Sequence, residues 1–332
     1  MRRKPTPMNS APTGSAPAPA SSLPLLVSPP SPGTDLLAWT SSARDHIRAG
    51  LLEHGALLFR GWSVPSVDVF EAFVRSAVGE PLPYELRSSP RHAVSNNVYT
   101  STDHPADQAI FLHNEQSYGH TWPGFIAFHC VTEPGTGGAT PIADVRRVTR
   151  RIAPGIVDRF AGGYQLVRHF HEGFGLSWQT AFGCRTEEEL EEVCRRHDIQ
   201  CEWLPDGLLR TRQLRPVMEP HPVTGERLWF NHLTFFHPTT LDPRVQEHLL
   251  AAFPADQFPY DTRHHDGSPI DPATVAALRA AYEAETVSVP WRRGDILLLD
   301  NMLTAHAREP YTGEREIVVA MAAPTHRAGA FR

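Results

Sequence analysis

The chain has 332 residues, 41% of them hydrophobic and 20% charged, with a formal net charge of −6 and a pI near 6.3. That is enough apolar material to bury a sizeable core, and it places the chain in the soluble globular class. Lys4 is the sole lysine and the arginines are scattered among acids, so there is no basic field to hold nucleic acid; nor does any run approach the roughly 18 apolar residues of a membrane span.

The chain opens MRRKPTPMNSAPTGSAPAPASS, rich in Pro, Ala and Ser. It lacks the apolar run of roughly 7–15 residues that a secretory signal needs, and it cannot bury enough surface to offset the entropy of ordering it. The expectation is a disordered tail over residues 1–30 and a single domain over 31–332. Cys130, Cys184, Cys194 and Cys201 show no CxxC spacing and read as free thiols of a cytoplasmic protein.

From Asp35 to Glu53, Leu36, Leu37, Trp39, Ala43, Ile47 and Leu51 recur at helical spacing; Gly55 interrupts, and Ala56–Phe59 reads as a short buried strand. Val67 to Val78 repeats the helical pattern and stops at Gly79. Thr186 followed by Glu189 is a capping box that opens an acidic helix to about His197. Strand patterns bounded by turn signals occupy Gln108–His113, Gly124–Val131, Tyr164–Phe170, Arg227–His232, Ile296–Asp300 and Glu316–Met321. Helices gather at the front, strands fill the rest, and βαβ alternation is missing. This predicts a mainly β protein with helical additions, built on a double-stranded β-helix (jelly-roll) core.

The stretch FLHNEQSYGH, residues 111–120, holds His113 and Glu115 two positions apart, a spacing that puts both on one face of an extended chain. Near the other end, GDILLLDNMLTAH runs from an apolar strand through a polar tip to His306, and Arg315 follows before another strand. Two histidines and one carboxylate form the ligand set of a non-haem Fe(II) site with one face open for chemistry.

HNEQSY together with GDILLLDNMLTAHAREPYTGERE resembles the Fe(II)- and 2-oxoglutarate-dependent dioxygenases of the taurine dioxygenase (TauD/TfdA) superfamily, most closely the branch that acts on amino acids in peptide natural-product pathways. HGALLFRGW, GGATPIAD, WQTAF and HPVTGERLWFNH extend the resemblance over nearly everything after the tail. The resemblance implies that His113, Glu115 and His306 bind iron, that Arg315 pairs with the distal carboxylate of 2-oxoglutarate, and that Thr140 hydrogen-bonds the same carboxylate. A guanidinium suits that task because it is planar, always charged and able to bond in bidentate fashion. It further implies that O2 and 2-oxoglutarate are consumed as a C–H bond of an amino acid, free or attached to a carrier protein, is hydroxylated.

Taurine-oxidising members carry a second arginine four positions after the first, to receive the sulfonate; the corresponding residue here is Val319, which argues against a sulfonated substrate. Glu115 argues against halogenation, because family halogenases replace this carboxylate with a small residue. Desaturation or cyclisation by the same centre, and a non-catalytic jelly roll that binds a metal or ligand, are the alternatives. Arg168, Trp178, Gln179, Arg210, Arg212 and Asn231 are the candidates for reading the substrate.

Overall fold

The computed structural model describes residues 23–83, 92–95, 97–100 and 104–327. Two sheets carry the site. The larger has seven strands in the order Leu25–Val27, Ala56–Phe59, Ile296–Asp300, Thr121–Thr132, Glu316–His326, Val98–Thr100 and Ala93–Ser95. Its pairs are antiparallel except the first, which is parallel. The smaller runs Thr286–Val287, Ile142–Asp144, Thr304–Arg308, Ile110–His113, all antiparallel.

The apolar run of Ile296–Asp300 is continuous because this strand is covered on both faces. Ile296 and Leu298 pack with Leu57, Phe59, Val318 and Ala320 against Ile47, Leu51, Phe70 and Phe73 of the helices Leu36–His54 and Val67–Ala77. Leu297 and Leu299 face the other way. They join Leu58, Ile126, Phe128, Ile317, Val319 and Met321, together with Ile142 of the smaller sheet. The period-2 alternation therefore gives the large sheet a helix-covered face and a face turned to the small sheet.

Local chemistry sets the helix ends. The Asp35 carboxylate accepts from Ala38 N–H at 2.6 Å, and Gly55 (φ 76°) closes the first helix through a bond from its N–H to Leu51 O at 2.7 Å. A Cβ at Gly55 would lie 2.5 Å from Thr304 Oγ1, so this turn needs glycine for close approach as well as for its φ. Thr186 accepts from Glu189 N–H at 3.3 Å, while the Glu189 carboxylate returns to Arg185 N–H at 2.6 Å, one residue earlier than the usual reciprocal bond.

A further four-stranded sheet flanks the pair, in the order Ile199–Trp203, Leu209–Arg215, Tyr164–Phe170, Tyr260–His264. The chain is mainly β with several helices. Among the described residues no helix is long and apolar enough to cross a membrane.

The tail expected over residues 1–30 does not extend to residue 30. Leu25–Val27 pairs in parallel with Ala56–Phe59, and Val27 O accepts from Arg60 N–H at 3.2 Å and Trp62 Nε1–H at 2.9 Å. Residues 1–22 of that tail lie outside the described residues. Other limits shift: the strand expected over Arg227–His232 ends at Trp229, and that of Glu316–Met321 continues to His326.

Candidate metal centre

His113 ends the strand Ile110–His113, and His306 is its direct partner across the antiparallel pair with Thr304–Arg308. Directly opposed residues share a face, and the two imidazole centroids lie 4.4 Å apart. Glu115 arrives differently. The strand stops at His113 and the chain turns, with Gln116 left-handed at φ 55°.

The turn is held by Asn301. Its Oδ1 accepts from Glu115 N–H at 2.8 Å, while its Nδ2 donates to Glu115 O at 2.9 Å and Pro123 O at 2.8 Å. Asn114, fully buried, donates from Nδ2 to Asn301 O at 2.6 Å. His113, Glu115 and His306 thereby offer one ligand atom each, all within 4.8 Å of one another.

His113 Nδ1 lies 2.8 Å from Phe111 O. A carbonyl can only accept, so Nδ1 carries the proton and Nε2 presents its lone pair, the tautomer a metal requires. Glu115 and His306 are buried and His113 partly so. Two imidazoles and one carboxylate, with Nε2 of His113 already oriented, fit a divalent iron. Phe128, Phe235 and His232 wall the centre, with centroids 5.1 Å from His306 and 4.7 and 5.7 Å from His113 respectively. Burial pushes His232 well below its ordinary value, and its Nδ1 meets Ser117 Oγ at 2.6 Å.

Arg315 precedes the strand Glu316–His326. Its Nε donates to Gly138 O at 2.9 Å and its plane lies over Tyr311, 5.3 Å from the centroid. Burial, reinforced by Arg308, lowers it to about 10, still a cation at neutral pH but a poorly hydrated one. Thr140, two residues beyond Gly138, is buried and accepts from Trp291 Nε1–H at 3.1 Å, which leaves its own O–H as a donor. Arg308 is committed elsewhere, to the carbonyls of His104, Pro105 and Gln108.

The candidate substrate readers separate by strand face. Arg168 lies on the buried face of Tyr164–Phe170. Arg210 and Arg212 alternate with the buried Leu209, Thr211 and Gln213, so they point to the opposite, outer face, where both bond Glu202. Asn231 is structural: Nδ2 donates to Val217 O and Oδ1 accepts from Leu233 N–H, both at 2.9 Å. Trp178 packs edge-on against Trp203, and Gln179 lines a surface cleft.

The sequence reading missed the polar scaffold that joins the motifs. Arg60 bonds the buried Asp295 through Nε and Nη2 at 3.0 and 2.6 Å. His221 Nε2 meets Asp300 Oδ2 at 3.1 Å, and Asp300 Oδ1 accepts from Met302 and Leu303 N–H. These bonds tie FRGW and HPVTGER to the strand that leads to His306.

Comparison with known proteins identifies the family. Residues 21–321 match the family "Taurine catabolism dioxygenase TauD, TfdA family". Dapdiamide synthesis protein DdaC of Enterobacter agglomerans is 40% identical over 277 residues, 83% of this chain and 84% of that protein. A clavaminate synthase-like protein of Arabidopsis thaliana is 30% identical over 329 residues, 94% and 92% of the two chains. PvcB of Pseudomonas aeruginosa shares the fold, with a TM-score of 0.53 at 16% identity over 89% of this chain and 84% of its own. So does AAD-2, solved with Mn(II) and N-oxalylglycine, at 0.52 and 15% over 91% and 95%. The chain belongs to the TauD/TfdA family and is an Fe(II)- and 2-oxoglutarate-dependent oxygenase.

Proposed function

We propose that the enzyme hydroxylates an unactivated C–H bond of an amino acid or amino-acid derivative in secondary metabolism, with iron held by His113 Nε2, Glu115 and His306. The observation that carries this reading is the cross-strand register of His113 with His306, beside a Glu115 turn pinned by Asn301. Bound there, iron and 2-oxoglutarate would supply the oxidising power: O2 is consumed, 2-oxoglutarate becomes succinate and CO2, and C–H becomes C–OH. Phe128, Phe235 and His232 would exclude water around the reacting bond.

Arg315 is our assignment for the distal carboxylate of 2-oxoglutarate. Gly138 O and the Tyr311 ring fix its orientation, and its desolvation favours an anion beside it. The Thr140 hydroxyl would donate to the same carboxylate. Val319, buried among apolar residues, supports an amino-acid rather than a sulfonated substrate, as does the likeness to a dapdiamide synthesis protein. We read the two main sheets as the halves of a double-stranded β-helix, a reading supported by their shared apolar cluster. The free cysteines support a cytoplasmic setting.

Adding Fe(II) and 2-oxoglutarate without oxygen should give a weak visible charge-transfer band. Admitting oxygen with ascorbate and a panel of amino acids should give coupled succinate, and aminoacyl carrier proteins form the second arm of the assay. A protein that gives no band and no succinate with either arm contradicts the reading.

A further inference from the structure

Arg168 stands on the central strand Tyr164–Phe170, opposite Thr211 on one neighbour and Tyr260 on the other, and is only 8% exposed. The face it shares leans on the segments around the metal centre. Tyr164 OH accepts from His232 N–H at 3.1 Å, Thr262 Oγ1 donates to Leu233 O at 2.9 Å, and Gln213 and Arg215 donate to Tyr118 O. A continuous run of packed rings stands between the guanidinium and His113 of the candidate metal centre. Arg168 Cζ lies 5.2 Å from the Tyr260 centroid; Tyr260 stacks on Phe236 at 5.0 Å, Phe236 meets Phe235 at 5.0 Å, and Phe235 meets His113 at 4.7 Å.

The bonding of Arg168 is incomplete. Arg215, on the same face, donates to the carbonyls of Tyr118, Leu214 and His197. Arg168 makes one long bond, Nη2 to Tyr260 OH at 3.5 Å; its buried Nε has no partner, and among the described residues no carboxylate forms an ion pair with it. The rings of Phe170, Phe182 and Tyr260 surround it at 4.6, 5.9 and 5.2 Å. Such contacts compensate part of the cost of burying the charge, but they do not saturate five N–H donors lying in the guanidinium plane. What completes a planar fork of donors is a planar anion.

We propose that Arg168 anchors a free carboxylate of the substrate. This rests on the reading of the metal centre given above, and it narrows the substrate class: the carboxyl group held by Arg168 is an acid, not a thioester to a carrier protein. The cavity beside Arg168, bounded by Tyr118, Thr211, Gln213 and Phe182, measures about 10 Å³, room for about one water. A carboxylate is larger than this cavity, so binding it would require the side formed by Ala181 and Phe182 of the short helix Trp178–Phe182 to give way. Beyond that helix lies a surface cleft of about 700 Å³ lined by Phe170, Trp178 and Gln179, from which a carboxylate would reach Arg168.

The test uses the anaerobic protein loaded with Fe(II) and 2-oxoglutarate, with a set of N-acetyl-L-amino acids and their N-methylamides as probes. The charge-transfer band reports the centre, and calorimetry reports binding of each acid–amide pair. The wild type should bind at least one acid, and its amide at least about 30-fold more weakly. Arg168→Met should bind acid and amide alike with the band unchanged, and Arg168→Lys should restore part of the preference. Equal binding of acid and amide by the wild type, binding of neither, or a preference that survives in Arg168→Met overturns the assignment. Should Arg168→Met fail to fold, the wild-type pairs and Arg168→Lys decide. A missing band with the acid preference intact faults the metal centre and not Arg168.

Discussion

The carboxamide of Asn301 brackets Glu115: its oxygen accepts from Glu115 N–H at 2.8 Å and its nitrogen donates to Glu115 O at 2.9 Å. The carboxylate we assign to the iron site is thus positioned from the far end of the chain, by the residue that follows the strand Ile296–Asp300. Asn301→Ala leaves Glu115 N–H, Glu115 O and Pro123 O without this partner in a buried turn. At about 1–3 kcal/mol for each unsatisfied group, partly relieved by rearrangement, the variant should lose several degrees in Tm. It should also bind Fe(II) roughly 10–100-fold more weakly. Melting curves and Fe(II) titration measure both, and an unchanged Fe(II) affinity would mean that Glu115 is held by other contacts.

Glu115→Ala and Asn114→Ala should fail for different reasons. The period of 2 puts Asn114 on the face opposite His113 and Glu115, which predicts that Asn114→Ala is far milder than Glu115→Ala. Instead Asn114 is fully buried and bonds Asn301 O at 2.6 Å, so its truncation should cost about 1–3 kcal/mol of stability while leaving a reduced but measurable turnover. Glu115→Ala should abolish coupled succinate formation with a smaller change in Tm. Near-normal turnover in Glu115→Ala would move the metal site elsewhere.

Arg315 and Arg308 both lie over Tyr311, at 5.3 and 5.4 Å, and kinetics should tell them apart. Arg315→Met should raise the KM for 2-oxoglutarate by a factor equivalent to roughly 2–5 kcal/mol. Arg308→Met should act first on stability, because its guanidinium holds the carbonyls of His104, Pro105 and Gln108. A larger KM effect in Arg308→Met would exchange the two roles.

How much of this was legible follows from the range of each signal. His113, Glu115 and His306, our proposed iron ligands, stand out by residue type and motif, and the fold brings them together; the long strands stand out by alternation. Asn301 does not: its bond to Glu115 spans 186 positions, and nothing local distinguishes it from a turn asparagine. The strand Thr304–Arg308, which puts His306 opposite His113, reads TAHAR and carries no clear alternation. Arg210 and Arg212 looked equal to Arg168 because the strand Leu209–Arg215, reading LRTRQLR, is unassigned without its partners. Once its register is known, the period of 2 sends those two arginines outward and leaves Arg168 inside.

Acid should destabilise the metal-free protein through its histidines. Burial pushes His120 from 6.5 down to about 4, with Arg215 and Arg327 adding to the effect against Asp198. Burial also lowers His129, His169, His197 and His237. In the fold these imidazoles stay neutral at a pH where the unfolded chain has begun to take up protons. The unfolded state then binds more protons, so stability rises with pH across this window. The contribution is complete above about 6.5 and is lost as pH falls toward about 4, where His120 becomes protonated in both states. Melting temperatures measured in chelator should be level above neutrality and fall steadily through this range, and His120→Gln should flatten the fall. An identical slope in His120→Gln would assign the acid sensitivity to the other buried histidines.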